Sequence, residues 1–484
     1  MNQKTNRRVF IGRVTAATAA SAGITLLHNV NAQPQGANSD VRVGVIGTRS
    51  KGRGHIGQLL GKKGVRVAGV CDVDKAVLEA RAQMVADKNQ IVTPYVDYRR
   101  MCADPNIDAI VIATPNHLHT LIAMTGIANG KHVYVEKPVS HNHRESIALT
   151  AAADKHPELV VQHGMQRRSD RGWIEAMEYL KSGELGAIKY SRGFCYKPRK
   201  SIGKVNAPQA VPEHIDYNLW SGPREMLPVM RRTFHYDWHW QWPYGNGDIG
   251  NQGPHQMDVA RWALNQEHCA PRVISVGGRF GYDDDGDAAN TQIAFFDYKP
   301  APLIFEVRGL PNSNLDWGKG MPNYKGVRVG NVVECEGGYV AESKAYDNDG
   351  KSIRKFGITN GAGHMENFIE QIRSGKKVEN CLVKQGSVSA SLCHAANISL
   401  RLGLEKNEGE IKDALKEDAG IMESFDRFVE HLVANGVNVD KVQPTLGPWL
   451  TIDPKTETYT GAFAEHANLL AQGTYRAEFD LPKI

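Results

Sequence analysis

Residues 41–54 read VRVGVIGTRSKGRG. Val41 to Ile46 is a short, mostly β-branched apolar run, the composition of a buried strand. Glycines follow at once, at Gly47, Gly52 and Gly54. A strand that turns through glycine into a helix holds a nucleotide's phosphates on backbone N–H groups at the helix N-terminus. The G-x-G-x-x-G spacing falls here on Gly47, Arg49 and Gly52, so arginine replaces the middle glycine. A tight turn without a ligand is the plain alternative for these residues taken alone. The next apolar run, Val65 to Val70, ends in Cys71-Asp72. Asp72 lies 20 residues beyond Gly52, where a carboxylate accepts hydrogen bonds from an adenosine ribose and repels a 2′-phosphate. That placement selects NAD over NADP; Asp74 is a rival for the role.

Further along, Lys75 to Lys88 is free of breakers and predicts a helix, and 95–101 reads as a short connection. Asp108 to Ala113 (DAIVIA) is another parallel strand, stopped by Pro115, with Thr114, Asn116, His117 and His119 clustered at its carboxyl end. Open α/β sheets bind ligands at such strand ends. A helix from Leu121 to Asn129 leads to His132–Val135, a strand ending in Glu136-Lys137-Pro138. A lysine at a strand end beside an acid is partly desolvated, which lowers its pKa and suits it to proton transfer, with Glu136 to orient it. A surface ion pair is the simpler reading of the two residues in isolation. These elements predict an α/β fold with a Rossmann domain over 34–164.

Beyond it the pattern changes. β-rich runs at 186–194, 272–280, 290–298, 303–309, 327–336 and 338–342 predict one large, open, mostly antiparallel sheet in a second α/β domain, 165–405. Residues 195–233 form a long excursion of the kind that shapes binding sites. It runs into FHYDWHWQWPY at 234–244, where aromatic and polar residues alternate and three of the eight tryptophans fall within five positions. As a strand this places Tyr236, Trp238 and Trp240 on one face and His235, Asp237 and His239 on the other. Rings flanked by polar groups suit a sugar; a half-buried structural strand is the alternative. No carboxylate or cysteine cluster completes a metal site around His235 and His239. Asp283 to Asp287 reads as a solvated turn, since its spacing does not match a calcium loop. Residues 406–484 carry no interpretable motif and form an extension that packs on the domains or a neighbouring subunit.

Composition narrows the function. A net charge of +5 over 484 residues, without a lysine–arginine tract, gives no nucleic-acid face. Seven scattered cysteines, with no C-x-x-C, do not make a disulfide framework. At the N-terminus, Arg7-Arg8 precede a mildly apolar run from Val14 to Leu27, the pattern of a twin-arginine export signal over 1–33; a membrane anchor is the weaker reading. That route carries folded proteins, so it predicts a periplasmic protein that exports its NAD tightly bound.

The glycine turn, the acidic end of the second strand, ATPNHLH at 113–119 and EKP at 136–138 together resemble the Gfo/Idh/MocA oxidoreductase family. So do DYNLWSGP at 216–223 and the helices beginning near Gly363 and Val388. The resemblance, over about 41–405, implies an enzyme that oxidises or reduces sugars, inositols and related polyols with a nicotinamide cofactor, as a homo-oligomer. It places Lys137 beside the nicotinamide and the reacting carbinol, and His255 as the second proton-handling group. It makes Thr114, Asn116, His117, His119 and Glu136 part of the cofactor wall. The family's aspartate four residues before the histidine is Asn251 here, which cannot carry a proton. Either His255 and Lys137 then carry more of the acid–base work, or Asp248 or Asp258 supplies the missing charge; His364 is expected to reach the sugar. Exported relatives also imply an alternative, a glycoside hydrolase that uses NAD transiently. A non-catalytic sugar-binding protein is the third class.

Overall fold

In the computed structural model the described residues are 40–359 and 361–484. The predicted export segment, 1–33, lies outside them. The strand β1 (Val41–Ile46) enters α1 (Lys51–Leu60) through Gly47, and β2 (Val65–Cys71) enters α2 (Lys75–Ala86). Asp74 caps α2, its Oδ1 accepting from Ala76 N at 3.0 Å and Val77 N at 3.1 Å, an arrangement worth about 1 kcal/mol. Residues 95–101 are not a bare connection. They join β3 (Thr93–Tyr95) to α3 (Tyr98–Ala103), which Asp97 caps and whose Tyr98, Met101 and Cys102 are buried. Then come β4 (Ala109–Ile112), α4 (His119–Ala128), β5 (His132–Val135), α5 (His143–Lys155) and β6 (Val161–His163). All pairings are parallel, in the order β3-β2-β1-β4-β5-β6. The order reverses beside β1, where such sheets open a crevice.

After α6 (Arg171–Ser182), ended by Gly183 in the left-handed conformation at φ 77°, the chain enters β7 (Ile188–Tyr196). The excursion holds α7 (Tyr217–Ser221) and leads to α8 (Gly247–Asn251) and α9 (Gly253–Ala263). The sheet then builds from β8 (Arg272–Gly278), β9 (Thr291–Phe296), β10 (Leu303–Arg308), β11 (Val329–Cys335), β12 (Gly338–Ala341), β13 (Lys344–Tyr346) and β14 (Ser352–Lys355). It is antiparallel except where β10 runs parallel to β7. α10 (His364–Ser374) and α11 (Val383–Arg401) return towards the first domain. α11 is buried along most of its length, with Leu392 and Ala395 packed against Met257 of α9 and Phe305 of β10.

The C-terminal extension is structured. After β15 (Leu404–Glu405) and α12 (Glu408–Leu415), α13 (Ala419–Ala434) lays Phe425, Phe428 and Leu432 on Ile293, Phe295 and Ile304 of the sheet. β16 (Thr445–Leu446) and β17 (Leu450–Ile452) pair with β8, and β17 with β18 (Tyr459–Thr460). α14 (Ala464–Gln472) follows, and Phe479 enters the core of the Rossmann domain. Tyr475 Oη donates to Glu145 Oε1 at 2.9 Å, and Arg224 of the excursion donates to the same oxygen at 2.7 Å. The extension therefore ties both domains of its own chain. Among the described residues no helix is long and apolar enough to cross a membrane.

Candidate active site

The crevice beside β1 is a cavity of about 420 Å³, bounded by the carboxyl ends of the parallel strands, the excursion and the start of α9. Gly47 has φ 79°, and a Cβ there would fall 2.7 Å from Ala113 C and Thr114 N, so only glycine fits between β1 and β4. A Cβ on Gly52 would meet Gly47 O at 2.0 Å; Gly52 lets α1 start tightly without itself lining the cavity. Arg49 is exposed on the cavity wall. Asp72 also lines it. Its Oδ2 accepts from Thr48 N at 2.8 Å and its Oδ1 from Asp74 N at 3.1 Å. Burial nevertheless raises its pKa, so a donor from a bound ribose has a poorly solvated carboxylate to satisfy. Thr114 Oγ1 is buried on the same wall without a hydrogen-bond partner. A cradle that admits no Cβ, a carboxylate at the end of β2 and an unpartnered hydroxyl together fit a dinucleotide.

At the other end of the cavity, Lys137 Nζ donates to Asn251 O and, at 3.3 Å, to Asn251 Oδ1. Asn251 O is a C-terminal carbonyl of α8, free to accept. Burial lowers the Lys137 pKa, opposed by Glu136 and reinforced by Lys197 and Lys51. Glu136 does not orient the ammonium. It takes His55 Nε2 at 2.9 Å, lies 3.5 Å from Lys51 Nζ and accepts the backbone N–H of Lys137 at 3.3 Å. Despite burial, these partners hold its carboxyl well below the usual range. His255, at the start of α9, shares the cavity with Lys137. Burial and the neighbouring Lys137 charge push its imidazole down to about 3, so it is neutral at physiological pH.

The excursion forms the third wall. Residues 234–244 are not a strand but a chain of tight turns around one 3₁₀ turn, Asp237–Trp240. His235 Nε2 donates to Asp74 Oδ2 at 2.9 Å, two residues from Asp72. Lys75 N bonds His214 O at 3.0 Å and Asp216 N bonds Val73 O at 3.0 Å, so the excursion is fastened to the turn after β2. His235, Tyr236, Trp238 and His239 line the cavity. Trp240 does not: it packs against Ile202 and Ala288.

Residues 41–164 match the family described as "Oxidoreductase family, NAD-binding Rossmann fold", and residues 183–299 its "C-terminal alpha/beta domain". These domains belong to the Gfo/Idh/MocA oxidoreductase family. An inositol 2-dehydrogenase of Salmonella typhimurium is 27% identical over 181 residues, 37% of this chain and 52% of the relative. The chain thus matches about half the length of such curated relatives. Among solved structures, the WlbA dehydrogenase of Bordetella pertussis in complex with NADH and UDP-GlcNAcA gives a TM-score of 0.56 at 18% identity, covering 75% of this chain and 97% of that one. The Lactobacillus casei myo-inositol dehydrogenase in complex with NAD(H) and myo-inositol gives 0.51 at 19% identity, covering 75% and 95%. At these identities the likeness is one of fold.

Within this Gfo/Idh/MocA framework several expected positions move. His364 is buried, with Nε2 2.8 Å from His163 O and Nδ1 2.6 Å from Ser169 Oγ; it braces α10 and does not line the cavity. His117 is likewise turned away, its Nε2 bonding Trp220 O at 2.8 Å. His119 stays in the cavity wall and joins strand ends, 2.6 Å from Pro138 O and 2.8 Å from Thr114 O. Asn116 lines the cavity and donates to Asn246 Oδ1 at 3.2 Å. Asp248 is held by Arg199 through bonds of 2.7 and 2.8 Å, and Asp258 by Arg168 through bonds of 2.7 and 2.9 Å. Both acids are spent on arginines, so neither replaces the family's aspartate. Sequence reasoning missed Lys51 and His55; their i, i+4 spacing from the first turn of α1 was the available signal. Among the described residues no group of three His, Cys, Asp or Glu side chains is placed to hold a metal ion.

Proposed function

We propose that the chain is an NAD-dependent oxidoreductase acting on a hydroxyl of a sugar, inositol or glycoside. The carrying observation is the Lys137 amine, fixed by both oxygens of Asn251, beside the neutral His255 in the cavity of an NAD-binding Rossmann domain. Bound NAD supplies the hydride acceptor or donor, a chemistry no side chain provides. Gly47 admits the phosphates to the start of α1, and Asp72 and Thr114 Oγ1 offer bonds to the rest of the nucleotide. Lys137 holds the reacting hydroxyl and takes or returns its proton, and His255 is the neighbouring neutral base. Asn251 orients Lys137 and carries no proton. Positioning the reacting carbon and moving one proton are the chain's own contributions to rate. The similarity of residues in this chain to inositol dehydrogenases supports a cyclic polyol, and C3 of a glycosyl unit is one form of it.

A second reading is favoured by the excursion fastened over the ribose end of the cavity. A cofactor held there by the Gly47 turn and Asp72 would lend and take back one hydride without net turnover, as a glycoside hydrolase that works by transient oxidation and elimination requires, with Lys137 and His255 handling the protons. The twin-arginine-like segment at 1–33 adds export with NAD in place to either reading. Purified protein is screened against inositols and glycosides, with nicotinamide absorbance and product mass followed together. Polyol oxidation with matching NAD reduction supports the oxidoreductase. Cleavage without net NAD turnover replaces it with the hydrolase, and neither product rejects both.

A further inference from the structure

The 3₁₀ turn Asp237–Trp240 carries an imidazole that the family pattern does not use. His239 Nδ1 lies 2.5 Å from Tyr236 O, a carbonyl that can only accept, so Nδ1 carries the ring's hydrogen and Nε2 its lone pair. The ring stacks on Trp238, with centroids 3.8 Å apart and planes at 20°. Its backbone is pressed against Gly245, where a Cβ would fall 2.4 Å from His239 O, six residues before Asn251. Ring and backbone are thus both held, and the side chain lines the cavity that holds Lys137 and His255.

The groups facing it are Lys137, His255 and the Arg199–Asp248 pair. Burial and the Lys137 and Arg199 charges, against Asp248, bring its pKa down to about 4, which keeps the ring neutral. A pinned, neutral, acceptor-only imidazole recognises a donor. Lys137 serves the oxygen of one hydroxyl; an adjacent hydroxyl must place its own hydrogen somewhere, and His239 Nε2 is an acceptor lining the same cavity with no partner among the described residues.

Resting on the oxidoreductase reading, we infer that His239 is a substrate-binding residue whose Nε2 accepts the hydrogen of a free hydroxyl next to the reacting carbon. The ligand class is therefore a vicinal diol of a cyclic polyol or pyranoside. An O-alkyl group at that neighbouring position is excluded, because it brings no hydrogen and leaves the acceptor unpaired in the filled cavity.

The test uses the full-length, NAD-loaded protein with myo-inositol, methyl glucopyranosides and their mono-O-methyl ethers. Calorimetric binding, steady-state kinetics and diethyl pyrocarbonate labelling of His239, read by peptide mass, are measured together. His239→Leu should weaken polyol binding and raise KM about tenfold with kcat little changed, the pattern of lost uniform binding. His239→Gln, which keeps an acceptor, should recover most of that loss. Wild-type protein should reject one ether at least tenfold, and the Leu variant should lose the discrimination. Polyol should protect His239 from labelling, a readout that needs no variant. Unchanged affinity and ether discrimination in folded His239→Leu, or no protection by any polyol that is oxidised, overturns the inference. A polyol that binds and protects His239 but is not oxidised leaves it standing and removes the oxidoreductase reading alone.

Discussion

The two long walls of the cavity are built in opposite ways. On the Rossmann side, the wall is a row of strand ends, each shaped by its own turn: Gly47 after β1, Asp72 after β2, Thr114 after β4, Glu136 and Lys137 after β5. Each position follows from a few neighbouring residues. On the other side, His235, Tyr236, Trp238 and His239 come from one irregular segment, shaped in part by contacts outside it: Asp74, Ile215 and Trp220. A wall of strand ends places chemical groups rigidly. A wall of loops adapts and encloses. The proposed division is that the first wall binds nucleotide and moves the proton, while the second retains the cofactor and reads the substrate.

The sharpest break of that division is at Lys137. Lys137→Ala should keep NAD bound, because the nucleotide meets other strand ends, yet cut hydride transfer by roughly 10²–10⁴, the worth of a positioned acid or base. Single-turnover reduction of bound NAD measures it. Near-wild-type rates in the folded, NAD-loaded variant would move the proton to His255 or His239.

The next effect concerns stability. Asp258 is fully buried between Arg168 and Arg261, with Ser389 donating at 2.9 Å. Burial alone would raise its pKa, but Arg168 and then Arg261 hold the carboxyl well below the usual range. A depressed carboxylate pKa stabilises the fold above the unfolded value of about 4 and loses that contribution as pH falls below it. Asp258→Ala should cost about 3–5 kcal/mol, since it leaves buried cations unpaired. Denaturant midpoints at neutral pH check this, and a loss of activity with unchanged stability would return Asp258 to the proton path.

Asp72→Ala should weaken NAD by about 1.5–3 kcal/mol, the loss of a charged acceptor for ribose hydroxyls. Calorimetry on NAD-stripped protein measures it. An equal loss in a capping-neutral Asp74→Asn variant would show that the carboxylates share the role.

The contrast between the walls also explains which parts could be read from residues alone. The Rossmann elements and Lys137 were readable because a strand, a glycine or proline and a polar end lie within a few residues of one another. The place of His255 and Asn251 on the cavity wall was readable from the resemblance to the family. FHYDWHWQWPY misled because its period of two is real in sequence, yet Gln241, bonded through Nε2 to Met230 O at 2.7 Å, and Asp237, bonded to Thr233 N at 2.8 Å, fold it into turns. Trp238 and Trp240, alike by pattern, part company as a result: one lines the cavity and one fills a core. His364, His117 and Asp248 failed similarly, since their partners lie 201, 103 and 49 residues away. The extension after 405 gave no motif because its role is packing, which leaves no local signature.

The smallest effect tests whether the second wall retains the cofactor. His235 is neutral, since burial lowers its pKa more than Asp74 raises it, so its Nε2–H donates to a carboxylate that already caps α2. Removing the imidazole leaves Asp74 its two backbone donors, so α2 should stay folded and the loss at the contact should be about 1 kcal/mol. If the segment gates the cavity, His235→Ala should speed NAD release about fivefold and speed entry by a similar factor, leaving the dissociation constant nearly unchanged. That pattern differs from Asp72→Ala, where affinity falls because a direct contact is gone. Stopped-flow fluorescence with NADH gives both rates on one sample. Identical rates in His235→Ala and wild type would mean that the excursion lines the cavity without holding it shut, and that any retention of NAD belongs to the Rossmann wall alone.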